Sequence, residues 1–124
     1  MSMIKRLDRL DVATTDLAGA ESIYQRNFGF AVLRGADGNI ATVKVGGAEI
    51  RLAAGKSVTA QIATNGEGMY ALWLEAEDVE AVAAALRKSG INPGAIKVET
   101  ARRVLAIDPK LANQVPLYIF DRKA

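Results

Sequence analysis

Histidine and cysteine are both absent from this chain of 124 residues. Without cysteine there is no disulfide, no thiolate nucleophile, no iron–sulfur cluster and no thiolate zinc site. Without histidine there is no imidazole ligand, and no side chain whose unperturbed pKa lies near 7. Ser-His-Asp and Cys-His catalysis are excluded. Any metal site would rest on oxygen donors, which favours Mg, Ca or Mn over Zn, Ni or Fe. No apolar run approaches the roughly 18–20 residues a membrane helix needs. Met1 to Leu10 carries charges throughout and has no apolar signal core, which points to the cytoplasm. The basic residues, 16 against 14 acidic, are dispersed and form no nucleic-acid footprint.

Half the residues are hydrophobic, enough for one packed domain of this length. The chain also repeats itself. Leu7 to Leu17 and Met69 to Val79 each run through a short alternating stretch, an acidic residue and a helix-like run. The acidic residues Asp16 and Asp78 lie 62 positions apart, half of 124. An internal duplication accounts for this.

The first half opens with a strand over about Arg6 to Thr14. Leu10 and Val12 face one way, and Arg9, Asp11 and Ala13 the other. Thr15 or Asp16 caps a helix in which Leu17, Ala20, Ile23, Tyr24 and Phe28 recur at helical spacing. Tyr24 and Phe28 read as helix–sheet core, and Gly29 stops the helix. Strands follow over about 31–34, 40–45 and 48–53, joined by turns at Ala36-Asp37-Gly38-Asn39 and Gly46-Gly47. Ala54 to Gly68 is a polar connector, either a linker or a functional loop. Glu67 within it reads as turn chemistry, and Lys56-Ser57 as polar loop. The second half repeats the pattern: a strand over 70–76, a cap at Asp78 and a helix over about 79–89 with Val79, Val82, Ala83 and Leu86 on its apolar face. Asn92-Pro93-Gly94 turns the chain into strands over about 95–99, 103–107 and 115–121. Each half reads βαβββ.

Tandem βαβββ modules of this kind resemble the vicinal oxygen chelate superfamily of glyoxalases, bleomycin-resistance proteins and extradiol dioxygenases. The first module carries the resemblance in Thr15-Asp16-Leu17, Tyr24 and Phe28-Gly29-Phe30. The second resembles methylmalonyl-CoA epimerases in Gly66-Glu67-Gly68, Asp108-Pro109 and Val115-Pro116-Leu117. The resemblance implies an α+β fold: one glyoxalase-like domain over 1–124, with modules of about 1–55 and 66–124 joined by a linker at 54–68. The modules would form a half-open, cup-shaped sheet of eight strands around a cavity. It also implies a homodimer.

In the family four cavity-facing side chains, typically His and Glu, hold a divalent metal. Matched position by position, they fall here on Arg9, Arg51, Ala71 and Tyr118. Arginine stays protonated and offers no lone pair. Phenol is a poor ligand, and alanine has none. The resemblance therefore predicts no metal and no other cofactor, and no metal-dependent glyoxalase, dioxygenase or epimerase activity.

Strand alternation lines the cavity with Arg9, Asp11, Glu49, Arg51, Trp73, Glu75, Tyr118 and Phe120. Arg9 and Arg51 suit a carboxylate or phosphate through paired, planar hydrogen bonds. The aromatics suit a ring. Equally, Arg9 can pair with Asp11, Glu49 or Glu75 with no ligand at all, and the aromatics can fill a collapsed cavity. Asp11, Glu49 and Glu75 remain possible bases, although a neighbouring cation lowers a carboxylate pKa and opposes that role. Three functions follow. The first is a metal-free protein binding a small anionic or aromatic molecule. The second is a metal-independent lyase, isomerase or epimerase acting on a small organic acid. The third is a regulatory or structural module with a filled cavity. None calls for a nucleic acid or a membrane.

Overall fold

The computed structural model of the chain describes residues 3–36, 38–112 and 116–123. Met1, Asp37 of the first expected turn, and Val115 of the last expected strand and of the Val115-Pro116-Leu117 motif lie outside them. The described residues form β1 (Ile4–Ala13), α1 (Leu17–Phe28), β2 (Val32–Arg34), β3 (Ile40–Val45), β4 (Ala48–Ala53), α2 (Lys56–Asn65), β5 (Gly68–Ala76), α3 (Val79–Lys88), β6 (Ile96–Glu99), β7 (Arg102–Ile107), a 3₁₀ turn (Pro109–Leu111) and β8 (Leu117–Asp121). This is an α+β fold in which βαβββ occurs twice, with α2 inserted between the copies. Two compact units result: Arg9–Tyr70, and Met1–Asp8 with Ala71–Ala124.

In the unit Arg9–Tyr70 the strands lie in the order β2-β3-β4-β1. β1 runs parallel to β4, while β3 is antiparallel to both β2 and β4. Alternate residues of these strands meet α1. Leu17, Ala41, Val43, Leu52 and Ala54 are buried together, with Val12, Tyr24 and Ile50 packed on them. Asp16 caps α1 by accepting the Gly19 N–H at 3.0 Å. A Cβ on Gly19 would stand 2.3 Å from the Asp16 carboxylate, so only glycine leaves the cap room. Gly29 closes the helix in the left-handed region at φ 69°.

Two residues of the expected α1 core are not core. Ile23 is 52% exposed and Phe28 62%. Ile23 lies six residues beyond Leu17, roughly 120° around the helix from it. Phe28 ends the helix, and its ring stacks on Phe30 at 5.9 Å instead of reaching the sheet.

The expected connector is also partly helical. Val58 and Ile62 in α2, one turn apart, pack on Ala13, Ala53 and Tyr70. Two apolar residues among polar ones give too weak a periodicity to read. α2 thereby covers one end of the sheet face opposite α1.

In the other unit the first half of β1 leads the order β1-β5-β8-β7-β6. β5 and β8 are parallel; β7 is antiparallel to β8 and to β6. The α3 face buries Ala76, Val79, Val82, Ala83, Leu105 and Ile119. Asp78 caps α3 by accepting the Glu80 N–H at 2.9 Å. A second, buried anchor holds the same helix. Asp121 is fully buried and accepts the Val79 N–H at 2.8 Å. It also accepts Arg103 Nη2 at 2.6 Å, Arg103 Nε at 3.1 Å and the Lys123 N–H at 3.1 Å. Arg103 Nη2 reaches Asp78 as well, at 3.1 Å. No described helix is long and apolar enough to cross a membrane.

Candidate functional site

The eight side chains expected to line a cavity fall into two groups of four, one in each compact unit. Arg9, Asp11, Glu49 and Arg51 belong to Arg9–Tyr70. Their position follows from strand register. Arg9 is opposite Glu49 and Asp11 opposite Arg51 across β1 and β4. Lys44 is opposite Glu49 and Thr42 opposite Arg51 across β3 and β4. Neighbours on one pleat face share a surface, so these six residues form a two-row patch on the face away from α1.

The charges of this patch are unevenly matched. Lys44 Nζ pairs with Glu49 Oε1 at 2.6 Å, and Arg9 Nε with Asp11 Oδ1 at 2.9 Å. Both Arg9 and Asp11 are buried, which makes theirs a shielded pair. Three cations face two carboxylates, and both carboxylates have a cation partner. Arg51 is the one left over. Its Nε is shielded from solvent and has no hydrogen-bond partner among the described residues. A desolvated donor without an acceptor is unfavourable by about 1–3 kcal/mol until something accepts from it.

Glu67 binds the loop that enters this unit's helix. Its Oε1 accepts the Thr15 N–H at 2.7 Å, Thr15 Oγ1 at 2.9 Å and Thr14 Oγ1 at 3.2 Å. These bonds, the Thr15 N–H foremost, lower its pKa. The chemistry is that of a turn fastening. Glu67→Ala is expected to speed hydrogen exchange at the Thr15 amide well beyond its effect elsewhere, measurable by NMR.

Trp73, Glu75, Tyr118 and Phe120 lie in the other unit. Trp73 is opposite Tyr118 and Glu75 opposite Phe120 across β5 and β8. The rings of Trp73 and Tyr118 stack at 4.5 Å with 16° between planes, and Phe120 meets Trp73 edge-on at 6.1 Å. Phe120 is 1% exposed, so it acts as core. Arg102 lies over the Trp73 ring at 4.7 Å. Glu75 is buried among cations: Arg6 Nε at 2.9 Å, Arg122 Nε at 3.2 Å and Lys5 Nζ at 3.9 Å. The Arg6 hydrogen bond, against the opposing effect of burial, holds its pKa below the usual carboxylate range. Glu75 is therefore a poor base at neutral pH.

A cavity of about 440 Å³ opens in the same unit, bounded by the 92–94 turn, the end of β7 and the start of β8. Of the eight expected residues only Tyr118 lines it. The expected lining comes from β1, β4, β5 and β8 alone. Thr42, Lys44 and Arg102 were within reach of the same alternation rule applied to β3 and β7. Asp121–Arg103 was not, because nothing in either residue's local pattern marks it as buried.

The four positions that the resemblance matches to metal ligands are Arg9, Arg51, Ala71 and Tyr118. Arg9 is ion-paired to Asp11, Arg51 is a guanidinium, Ala71 is buried and Tyr118 is stacked on Trp73. Neither guanidinium nor alanine donates a lone pair, so this set does not fit a divalent cation. No group of three His, Cys, Asp or Glu among the described residues is placed to hold one.

Residues 6–105 match the family described as Glyoxalase/Bleomycin resistance protein/Dioxygenase superfamily. No curated protein matches the chain. Among solved structures it is similar to a methylmalonyl-CoA epimerase from Mycobacterium tuberculosis, with TM-score 0.74 and 24% identity over 99% of this chain and 91% of that one. It is similar to a Streptomyces coelicolor methylmalonyl-CoA epimerase variant in complex with 2-nitronate-propionyl-CoA, with TM-score 0.69 and 22% identity over 98% and 96%. A hypothetical protein from Bacillus halodurans gives TM-score 0.71 and 21% identity over 96% and 95%. At these identities the likeness is one of fold.

Proposed function

The chain belongs to the Glyoxalase/Bleomycin resistance protein/Dioxygenase superfamily, and from that premise we propose that it acts on a small organic acid without a metal, as a lyase, isomerase or epimerase. The observation that carries this reading is Arg51, a half-buried cation on the β1–β4 face whose Nε is shielded from solvent and has no hydrogen-bond partner among the described residues. A carboxylate supplies the missing acceptor, and a guanidinium holds it in a fixed plane. Asp11, beside Arg51 in register and ion-paired with Arg9, is the carboxylate to which we assign proton abstraction from the carbon next to the bound carboxyl. The epimerases among the similar structures favour turnover over simple sequestration.

A second reading, a binding protein that sequesters such an acid, draws on one specific observation. Glu75 and Asp11, the buried carboxylates among the eight expected residues, are each paired with arginine, and the Arg6 hydrogen bond lowers the Glu75 pKa, which weakens it as a base. Incubation of the metal-stripped protein in D2O separates the two. Methylmalonate and methylmalonyl-CoA are the probes, and NMR follows deuterium at the carbon next to the carboxyl. Incorporation that disappears in Asp11→Asn is the expected result. Saturable binding without incorporation would move the protein to the second reading, and absence of binding would sink both.

A further inference from the structure

All three prolines of the chain, Pro93, Pro109 and Pro116, line the 440 Å³ cavity. They come from separate segments: the turn after α3, the 3₁₀ turn after β7 and the residue before β8. Proline has no N–H and a fixed φ, so it presents a rigid apolar ring and asks for no hydrogen bond. Three of them around one opening make a stiff rim, and a stiff rim loses little entropy when a ligand enters. The volume lies within the roughly 300–1,000 Å³ range of small-molecule sites.

Tyr118 supplies the direction. One face of its ring is covered by Trp73 at 4.5 Å, nearly parallel. The part of Tyr118 that lines the cavity is therefore the opposite face or the edge of the ring. Ala106, its partner across β7 and β8, is exposed and lines the cavity with only a methyl group, leaving room beside the tyrosine. A flat ring placed there extends the Trp73–Tyr118 stack by one layer, leaving its other face and its edges to the prolines that line the cavity.

We propose that this cavity is a binding site for a flat aromatic or heteroaromatic ring, stacked on Tyr118 and gripped by Pro93, Pro109 and Pro116. The proposal uses none of the charged residues of the β1–β4 face, so it stands apart from the reading of Arg51.

The test uses the full chain labelled with ¹⁵N, titrated with caffeine as a flat, uncharged probe and with cyclohexanol as its saturated counterpart. Caffeine is expected to shift the amides of Gly94, Ala106 and Ile107 saturably, and cyclohexanol to bind about tenfold more weakly. Tyr118→Leu and Ala106→Phe, the one removing the stacking surface and the other filling the space, are each expected to weaken caffeine by about tenfold or more. Ala106 is exposed, so that variant keeps the fold even if loss of Tyr118 does not. The proposal is overturned by absence of a saturable shift at those amides, by equal affinity for cyclohexanol, or by caffeine binding that survives Ala106→Phe.

Discussion

Asp121→Ala is expected to destabilise the fold by about 3 kcal/mol, because it removes one member of a buried ion pair and leaves the other behind. Asp121 accepts four hydrogen bonds: two from Arg103, one from the Val79 N–H and one from the Lys123 N–H. With the carboxylate gone, the Val79 N–H at the start of α3 loses its acceptor inside the protein. Arg103 keeps Asp78, and Glu80 at 3.6 Å, so the loss stays below that of an isolated buried charge. Asp121→Asn keeps the size and one acceptor but turns an amide N–H₂ towards Arg103, and is expected to fall between wild type and alanine. Thermal unfolding followed by circular dichroism measures both. A melting temperature unchanged in Asp121→Ala would mean that α3 is held by its apolar face and the Asp78 cap alone.

The same residue sets an acid limit. Burial alone would raise the Asp121 pKa; the Arg103 hydrogen bonds and the Val79 and Lys123 N–H groups override it and hold the value at about 2. A carboxylate in the unfolded chain titrates near 4. The folded value is the lower one, so the contribution is fully present above pH ~4 and is lost as pH falls from there through about 2. It amounts to roughly 2 kcal/mol. Asp121→Asn should flatten the acid limb of the stability profile over that window and leave its neutral region parallel to wild type.

The parts of this fold legible in the sequence are those set by short-range rules. Asp16 and Gly29 bracket α1 as a side-chain cap and a left-handed stop require. Strand alternation placed Arg9, Asp11 and Ala13 on one face of β1, and all three are buried. β3 and β4 fall at the expected residues. What escaped depends on partners distant in sequence. α2 is a helix because Val58 finds Ala13 and Ala53, and its own apolar content is slight. Glu75 is surrounded by Lys5 and Arg6 from the start of the chain and Arg122 from its end. Arg103 reads as one more solvated cation until Asp121, eighteen residues on, is found beneath it. At the site itself, the type of residue was legible and its state was not. That two arginines fall at positions which the family resemblance matches to metal ligands is an expectation legible in the sequence. That Arg9 is already neutralised by Asp11, and Arg51 by no acid among the described residues, is decided by how the folded side chains pair.

That difference between the two arginines makes Arg51→Met the most informative substitution at the site. Methionine keeps much of the length of the side chain and removes the desolvated donor. If Arg51 exists to hold an anion, the free protein tolerates its loss well, and the variant is expected to be more stable than wild type by about 1 kcal/mol. Its affinity for malonate, measured by calorimetry, is expected to fall by about a hundredfold, the effect of losing charge-assisted hydrogen bonds. Arg51→Lys keeps the charge but not the paired planar donors, and should lose about tenfold. Gain of stability with loss of binding is the mark of a residue kept for a ligand, since function then retains a group that folding would discard. Arg9→Met should behave in the opposite way, because it strands the buried Asp11 carboxylate and destabilises the fold. Should Arg51→Met instead lower the melting temperature and leave malonate affinity unchanged, the guanidinium would be satisfied within the protein, and the organic-acid reading would lose the observation on which it stands.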